Sequence, residues 1–192
     1  MKKRKHNAES DSAVGIRASL LDLNGGGDEH EPEPLATRVE LHPFLAGMNH
    51  AQLTLLTDCA MAAHFQKGDV LLRQGEFANR FYLIESGSVA LESRADRDEP
   101  AVIVDTVAAG DLLGWSWMFS PYVWHFTAGA LESTPALFFY GTILRQYCER
   151  NHSLGYELLK RATAVMSRRM QMTRDKMLAV HAGRASLQRA QV

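Results

Sequence analysis

Between Ala63 and Tyr140 the chain repeats one pattern: a short β-rich run, then a turn carrying Gly or Asp. HFQKGD, VLLRQGE, RFYLIESGSVALES, AVIVDTVAAGD and PALFFYG follow one another in this way. Several short strands at such spacing predict an all-β barrel or jelly roll. Within it, Phe81-Tyr82-Leu83-Ile84 and Val89-Ala90-Leu91 flank Glu85-Ser86-Gly87, a spacing that reads as a hairpin.

Helical patterns flank the β-rich region. Asn49-x-x-Gln52 has the form of a capping box, with Leu53, Leu55 and Leu56 behind it. After Gly141 the pattern turns helical again. Thr142 can cap a short helix through Arg150, and Ser153 a longer one reaching about His181. In the longer helix Leu158, Val165, Met172 and Ala179 recur every seven residues, with Ala162 and Met166 beside them. That stripe fits a helix pairing with its copy in a homodimer; the alternative is a helix packed on its own barrel. The expected organisation is a disordered tail over 1–34, a β-roll domain over 35–144, a helical dimerisation segment over 145–181 and a flexible tail over 182–192.

Charge follows this division. Residues 35–144 carry six basic and twelve acidic side chains, whereas 145–192 carry ten basic and three acidic. An acidic body is thus joined to a basic end. With 46% hydrophobic and 22% charged residues, the 192-residue chain is expected to be soluble and globular. No apolar run approaches the roughly 18 residues that span a bilayer. The opening MKKRKH lacks the apolar core of a secretory signal. Cys59 and Cys148 form no metal-ligand pattern and are expected to be reduced thiols in the cytoplasm.

Four motifs in order resemble the cyclic nucleotide-binding domain of the cyclic-AMP receptor and FNR-type regulators. They are Phe65-x-x-Gly68-Asp69, Gln74-Gly75-Glu76, Phe81-Tyr82-x-Ile84-x-x-Gly87-x-Val89 and Gly110-Asp111-x-x-Gly114, and a long helix follows them. The resemblance covers residues 42–181 and implies a mainly β fold with flanking helices: a jelly roll with a long C-terminal dimerisation helix. It also implies a phosphate cassette after Gly114. In the family, a glutamate beside that glycine takes the ribose hydroxyl, and an arginine about ten residues later pairs with the cyclic phosphate. Here Trp115 stands at the glutamate, and Trp124 or His125 at the arginine. No lysine or arginine occurs between Arg97 and Arg145, so His125 is the one candidate cation in that stretch.

GWSWMFSPYVWH, residues 114–125, holds all three tryptophans of the chain. Three readings are open. The aromatics fill the space a nucleotide would occupy; or they line a pocket for a different flat, apolar small molecule; or they face a partner protein. The candidate ligand-binding residues are Gly114, Trp115, Ser116, Trp124, His125 and Thr127. Cofactors are not expected, because His42, His50, His64, His125 and His152 are scattered without ligand spacing.

Enzymatic chemistry finds no footing. The sequence has no Walker-type loop, no HExxH and no GxSxG, and Asp96, Asp98 and Glu99 suit a solvated turn. Sequence-specific DNA binding is not expected, since the residues after His181 are too few for a winged helix-turn-helix. The expected function is a stand-alone regulatory or sensor module, cytoplasmic and off the membrane, acting through dimerisation and protein contacts. It is not expected to bind cyclic AMP in the usual way. The alternatives are a nucleotide-binding signalling protein that uses backbone or partner-subunit phosphate contacts, and a ligand-free scaffold.

Overall fold

The computed structural model describes residues 33–94 and 99–189. The expectations for the tail over 1–32, for Asp96 and Asp98, and for the last three residues lie outside them.

Helix α1 (Leu35–Leu41), a 3-10 turn (Pro43–Leu45) and α2 (His50–Cys59) lead into the strands. Asn49 caps α2 through the expected box: its Oδ1 accepts from the Gln52 N–H at 3.0 Å, and Gln52 Oε1 accepts from the Asn49 N–H at 3.1 Å. The strands are β1 (Ala60–Phe65), β2 (Val70–Leu72), β3 (Arg80–Ile84), β4 (Ser88–Ser93), β5 (Val102–Ala108), β6 (Leu112–Leu113), β7 (Thr127–Ala130) and β8 (Thr134–Tyr140). They form two four-stranded antiparallel sheets, ordered β1-β8-β3-β6 and β2-β7-β4-β5. The jelly-roll expectation is met.

The predicted hairpin is not. β3 and β4 lie in different sheets, so Glu85-Ser86-Gly87 carries the chain across the sandwich. Phe81 to Ile84 are all buried, so both faces of β3 are covered, while β8 and β6 pair with its two edges. At Gly87 (φ 79°) a Cβ would lie 2.5 Å from the Ser133 carbonyl oxygen, so this crossing packs on the β7–β8 connection. Hairpin and crossover share the same local spacing, and only the distant partners tell them apart.

The alternation along β3 and β8 generates two cores. Phe81, Leu83, Leu137 and Phe139 face the helices and form an outer core with Leu56, Leu144 and Leu154. Tyr82, Ile84, Ala136 and Phe138 face the opposite sheet and form an inner core with Val89, Val107 and Ala128. Two polar contacts fix α1 to the sandwich. Arg38 donates from Nε and Nη2 to the Glu85 carboxylate at 2.8 and 2.6 Å. His42 is buried, accepting at Nδ1 from the Phe44 N–H (3.2 Å), with Nε2 3.0 Å from the Ile84 carbonyl oxygen. A neutral ring with its proton on Nε2 satisfies both contacts, and burial lowers its pKa accordingly.

The chain ends in α3 (Gly141–Arg150) and α4 (His152–Arg189). Neither cap is the predicted one. Tyr140 precedes α3 without a side-chain cap, and Asn151 Oδ1 caps α4 by accepting from the Leu154 N–H at 3.1 Å. Ser153 instead accepts at Oγ from the Gln52 amide across the outer core, 3.1 Å away. The long helix also continues beyond His181, to Arg189.

Its first half packs on its own domain through Leu154, Leu158, Ala162 and Val165, all buried. From Met170 to Ala182 every residue is exposed. The heptad stripe is therefore split between packing within the chain and a bare surface. Part of the basic end meets the acidic barrel: Arg168 pairs with Asp111, while Arg169 and Lys176 both reach Asp105. Arg169 also donates to the Leu112 carbonyl at 2.8 Å, and its burial lowers its pKa. The charge asymmetry of the sequence thus becomes attraction between helix and barrel.

Candidate functional site

The cassette runs from the end of β6 to the start of β7. Gly114 turns the chain at φ 88°, and the 3-10 turn Trp115–Met118 follows. A Cβ on Gly114 would lie 3.2 Å from Trp124 Cζ3 and 3.4 Å from the Arg80 carbonyl oxygen, so glycine serves both conformation and space. The indole of Trp124 lies directly over this turn.

The two buried tryptophans diverge. Trp117 enters the outer core, its ring 5.3 Å from that of Phe81 at an interplanar angle of 15°. Gly141, which opens α3, meets it face on: a Cβ there would lie 2.7 Å from Trp117 Cβ. Trp124 enters the inner core, where only 3% of it is exposed and its Nε1 has no acceptor among the described residues. Trp115 is half-buried at the edge of the outer core, with Phe119 and His125 at ring distances of 6.2 and 6.1 Å.

Two contacts hold the loop between them. Its strand-like half aligns antiparallel with the β2–β3 connection: the Gly75 N–H donates to Trp124 O (2.9 Å), the Trp124 N–H to Glu76 O (2.9 Å) and the Ala78 N–H to Tyr122 O (2.6 Å). Tyr122 adopts φ 56°, an unfavourable region for a bulky side chain. Arg145 of α3 clamps it there, its guanidinium 4.2 Å from the Tyr122 ring centroid while Nη2 donates to Trp117 O at 3.1 Å. A single arginine thereby ties α3 to both halves of the cassette.

Of the residues singled out in the sequence, Gly114, Ser116 and Trp124 are buried together with the cassette. Thr127 is partly buried and its Oγ1 accepts from the Gln74 N–H at 3.1 Å, so this hydroxyl is already used in the fold. His125, the candidate cation, is exposed on the outside. Two arginines were missed. Arg145 came to the site through the α3 packing, which leaves no local signal. Arg80 shares a β3 face with Tyr82 and Ile84, both inner-core residues, and the two-residue period of that strand could have placed it. The thiols of Cys59 and Cys148 are each pushed up to about 11 by burial, which keeps them protonated and unreactive at neutral pH.

The comparisons with known proteins agree with this geometry. The cyclic nucleotide-binding domain family matches residues 62–151. The cAMP-dependent protein kinase regulatory subunit of Schizosaccharomyces pombe is 32% identical over 72 residues, which are 38% of this chain and 16% of that protein. Human cGMP-dependent protein kinase 2 is 24% identical over 71 residues, covering 37% of this chain and 9% of the kinase. The match thus spans a small fraction of these relatives. Among solved structures, a putative cyclic nucleotide-binding protein of Geobacter metallireducens superposes with TM-score 0.61 at 25% identity, covering 72% of this chain and 98% of that one. The catabolite activator protein of Thermus thermophilus superposes with TM-score 0.56 at 19% identity, covering 72% and 63%. Strand order, turn glycines and matched residues converge: residues 62–151 match the cyclic nucleotide-binding domain family, and the chain shares its fold with structural neighbours of the catabolite activator type.

Proposed function

We propose that this domain regulates through its helices and protein contacts, and that its cassette does not hold a cyclic nucleotide by the family's usual glutamate and arginine. The observation that carries this reading is Trp124: its indole sits in the inner core against Gly114, and residues 98–144 contain no lysine or arginine. A buried phosphodiester without a cation or a donor set would lose its hydration uncompensated. The module carries no chemistry of its own. Its signal passes from the cassette through Arg145 to α3 and α4, and any effector acts by contacts that differ between two states of that connection.

Dimerisation through α4 belongs to the same proposal. Met170, Met172, Met177, Leu178 and Val180 are exposed along the distal half of the helix, and Val102, Ile103 and Val104 are exposed on β5. Asp105 of β5, paired with Arg169 and Lys176, holds this half of the helix beside β5. A second copy of the chain would cover both at once.

Calorimetric titration with cyclic AMP and cyclic GMP tests the cassette; the expected result is no saturable heat at micromolar concentrations. Saturable micromolar binding overturns the reading. Light scattering tests the dimer: the double variant M172E/L178E is expected to be monomeric with unchanged β content. A monomeric wild-type chain at micromolar concentration removes the dimer.

A further inference from the structure

The 3-10 turn Pro43–Leu45 is a point where three parts of the domain meet. His42 stands between α1 and this turn, ending the one and capping the other. Pro43 packs on the turn before β6, its Cγ 3.3 Å from the site of a Cβ on Gly110. The Phe44 side chain enters the outer core, and its carbonyl accepts from Arg161 Nη1 of α4 at 2.8 Å. Among the described residues this is the guanidinium's one hydrogen bond, for its Nε has no acceptor and lies 3.5 Å from Glu157. The turn is thereby linked to the long helix through a single side chain.

One imidazole sets the turn. His42 is 3% exposed; its Nδ1 accepts from the Phe44 N–H at 3.2 Å, and its Nε2 lies 3.0 Å from the Ile84 carbonyl oxygen. That oxygen also accepts from the Gly110 N–H at 2.7 Å. Only the neutral ring suits both neighbours. With a proton on each nitrogen, Nδ1–H would face the Phe44 N–H, donor against donor. Two carboxylates near the ring favour its charged form, Glu85 from the crossing and Asp111 from the turn before β6. Each is held by a cation, Glu85 by Arg38 of α1 and Asp111 by Arg168 of α4. Burial outweighs them and keeps the ring neutral in the closed turn. A released imidazole titrates near 6.5, so acid favours any conformation that frees it.

We propose that His42 makes the Pro43–Leu45 turn a proton-operated joint, whose opening in mild acid releases Arg161 and loosens the first half of α4. The ligand is the proton itself, taken from solvent onto Nδ1, and the Phe44 N–H loses its acceptor as the N–H bond forms. The joint rests on the reading that the domain acts through its helices, and it gives that output an input needing no occupant in the cassette. Between pH 7.5 and pH 5.0, one imidazole released to a value near 6.5 shifts the opening equilibrium by at most about thirtyfold.

Hydrogen exchange of the full chain at these two pH values, corrected for intrinsic rates, tests the joint. Residues 44–48 and 156–166 should lose about fivefold or more protection relative to β3 and β8, within that ceiling. His42→Asn keeps an acceptor for the Phe44 N–H that does not titrate in this range, and should abolish the difference. Arg161→Gln should abolish it in α4 alone and leave it at 44–48. Equal loss across turn, helix and strands overturns the joint, since it reports only global acid destabilisation. A response that survives in His42→Asn overturns it too, as does a wild-type turn that responds without α4. NMR titration of the His42 ring in the wild-type chain needs no variant: a value below 6.5 supports the joint, and one at or above 6.5 overturns it. A monomer in light scattering removes the dimer but not the joint, which is read within one chain.

Discussion

Trp117 and Trp124 leave the same loop and finish in different layers. Trp117 stacks on Phe81 beneath the helices, against a glycine that leaves it no spare room. Trp124 is equally buried, yet it keeps an indole N–H with no acceptor. Depth of burial does not distinguish them, but the layer each enters does. Trp117 is held between Phe81 and Gly141, so it is structural by its packing. Trp124 retains a donor that packing alone does not use. The difference teaches that one aromatic stretch serves two ends, anchoring the helices on one side and facing the sandwich on the other.

The largest test of this contrast is Trp117→Ala. It empties the outer core beside Phe81 and should lower unfolding free energy by about 3–5 kcal/mol, read from urea denaturation. A loss below about 1 kcal/mol would deny Trp117 its anchoring role. Gly141→Ala attacks the same contact from the other side. Its new Cβ collides with Trp117, and a loss of about 1–3 kcal/mol is expected. Arg145→Ala removes the clamp on Tyr122 and the bond to the Trp117 carbonyl, with an expected loss of about 1–2 kcal/mol. Hydrogen exchange should also show faster opening of residues 119–124 in that variant, whereas uniform acceleration would make Arg145 an ordinary packing residue. Trp124→Phe should be the mildest, within about 1 kcal/mol of wild type, because deleting an unmatched donor offsets the lost area. If it costs as much as Trp117→Ala, the two tryptophans are alike and the contrast collapses.

Acidity provides a further check on the layer that Trp117 serves. In the unfolded chain the His42 imidazole titrates near 6.5; in the fold, burial lowers it, against opposing influences from the Ile84 carbonyl, Glu85 and Asp111. Above the unfolded value both states are neutral and the full stability is present. As pH falls below about 6.5, the unfolded chain takes up the proton first, and stability is lost until the folded value is reached. Urea midpoints should therefore drop between pH 7 and pH 5, and His42→Gln should flatten that part of the profile. An unchanged slope in the variant would show that His42 does not govern it.

The turn glycines, the short strands and the Asn49 capping box were legible in sequence because each is a local requirement of backbone geometry. The absence of lysine and arginine over residues 98–144 was equally legible, since it is a matter of residue types alone. Other features had no local signature. The crossing at Glu85-Ser86-Gly87 looks like a hairpin until β8 and β6 claim both edges of β3. Asn151 replaced Ser153 as the cap of α4 because Gln52, about a hundred residues earlier, recruited the serine hydroxyl.

The sequence by itself determined a β-rich domain followed by a long helix, and a stretch over 98–144 without lysine or arginine. Periodicity, turn chemistry and composition are properties of neighbouring residues, and a chain displays them before it folds. Only the tertiary structure decided which face each aromatic took, how the basic helix met the acidic barrel, and that the Arg80 carbonyl stands beside Gly114. These are contacts between distant segments, and closing two sheets over one another is what brings them together.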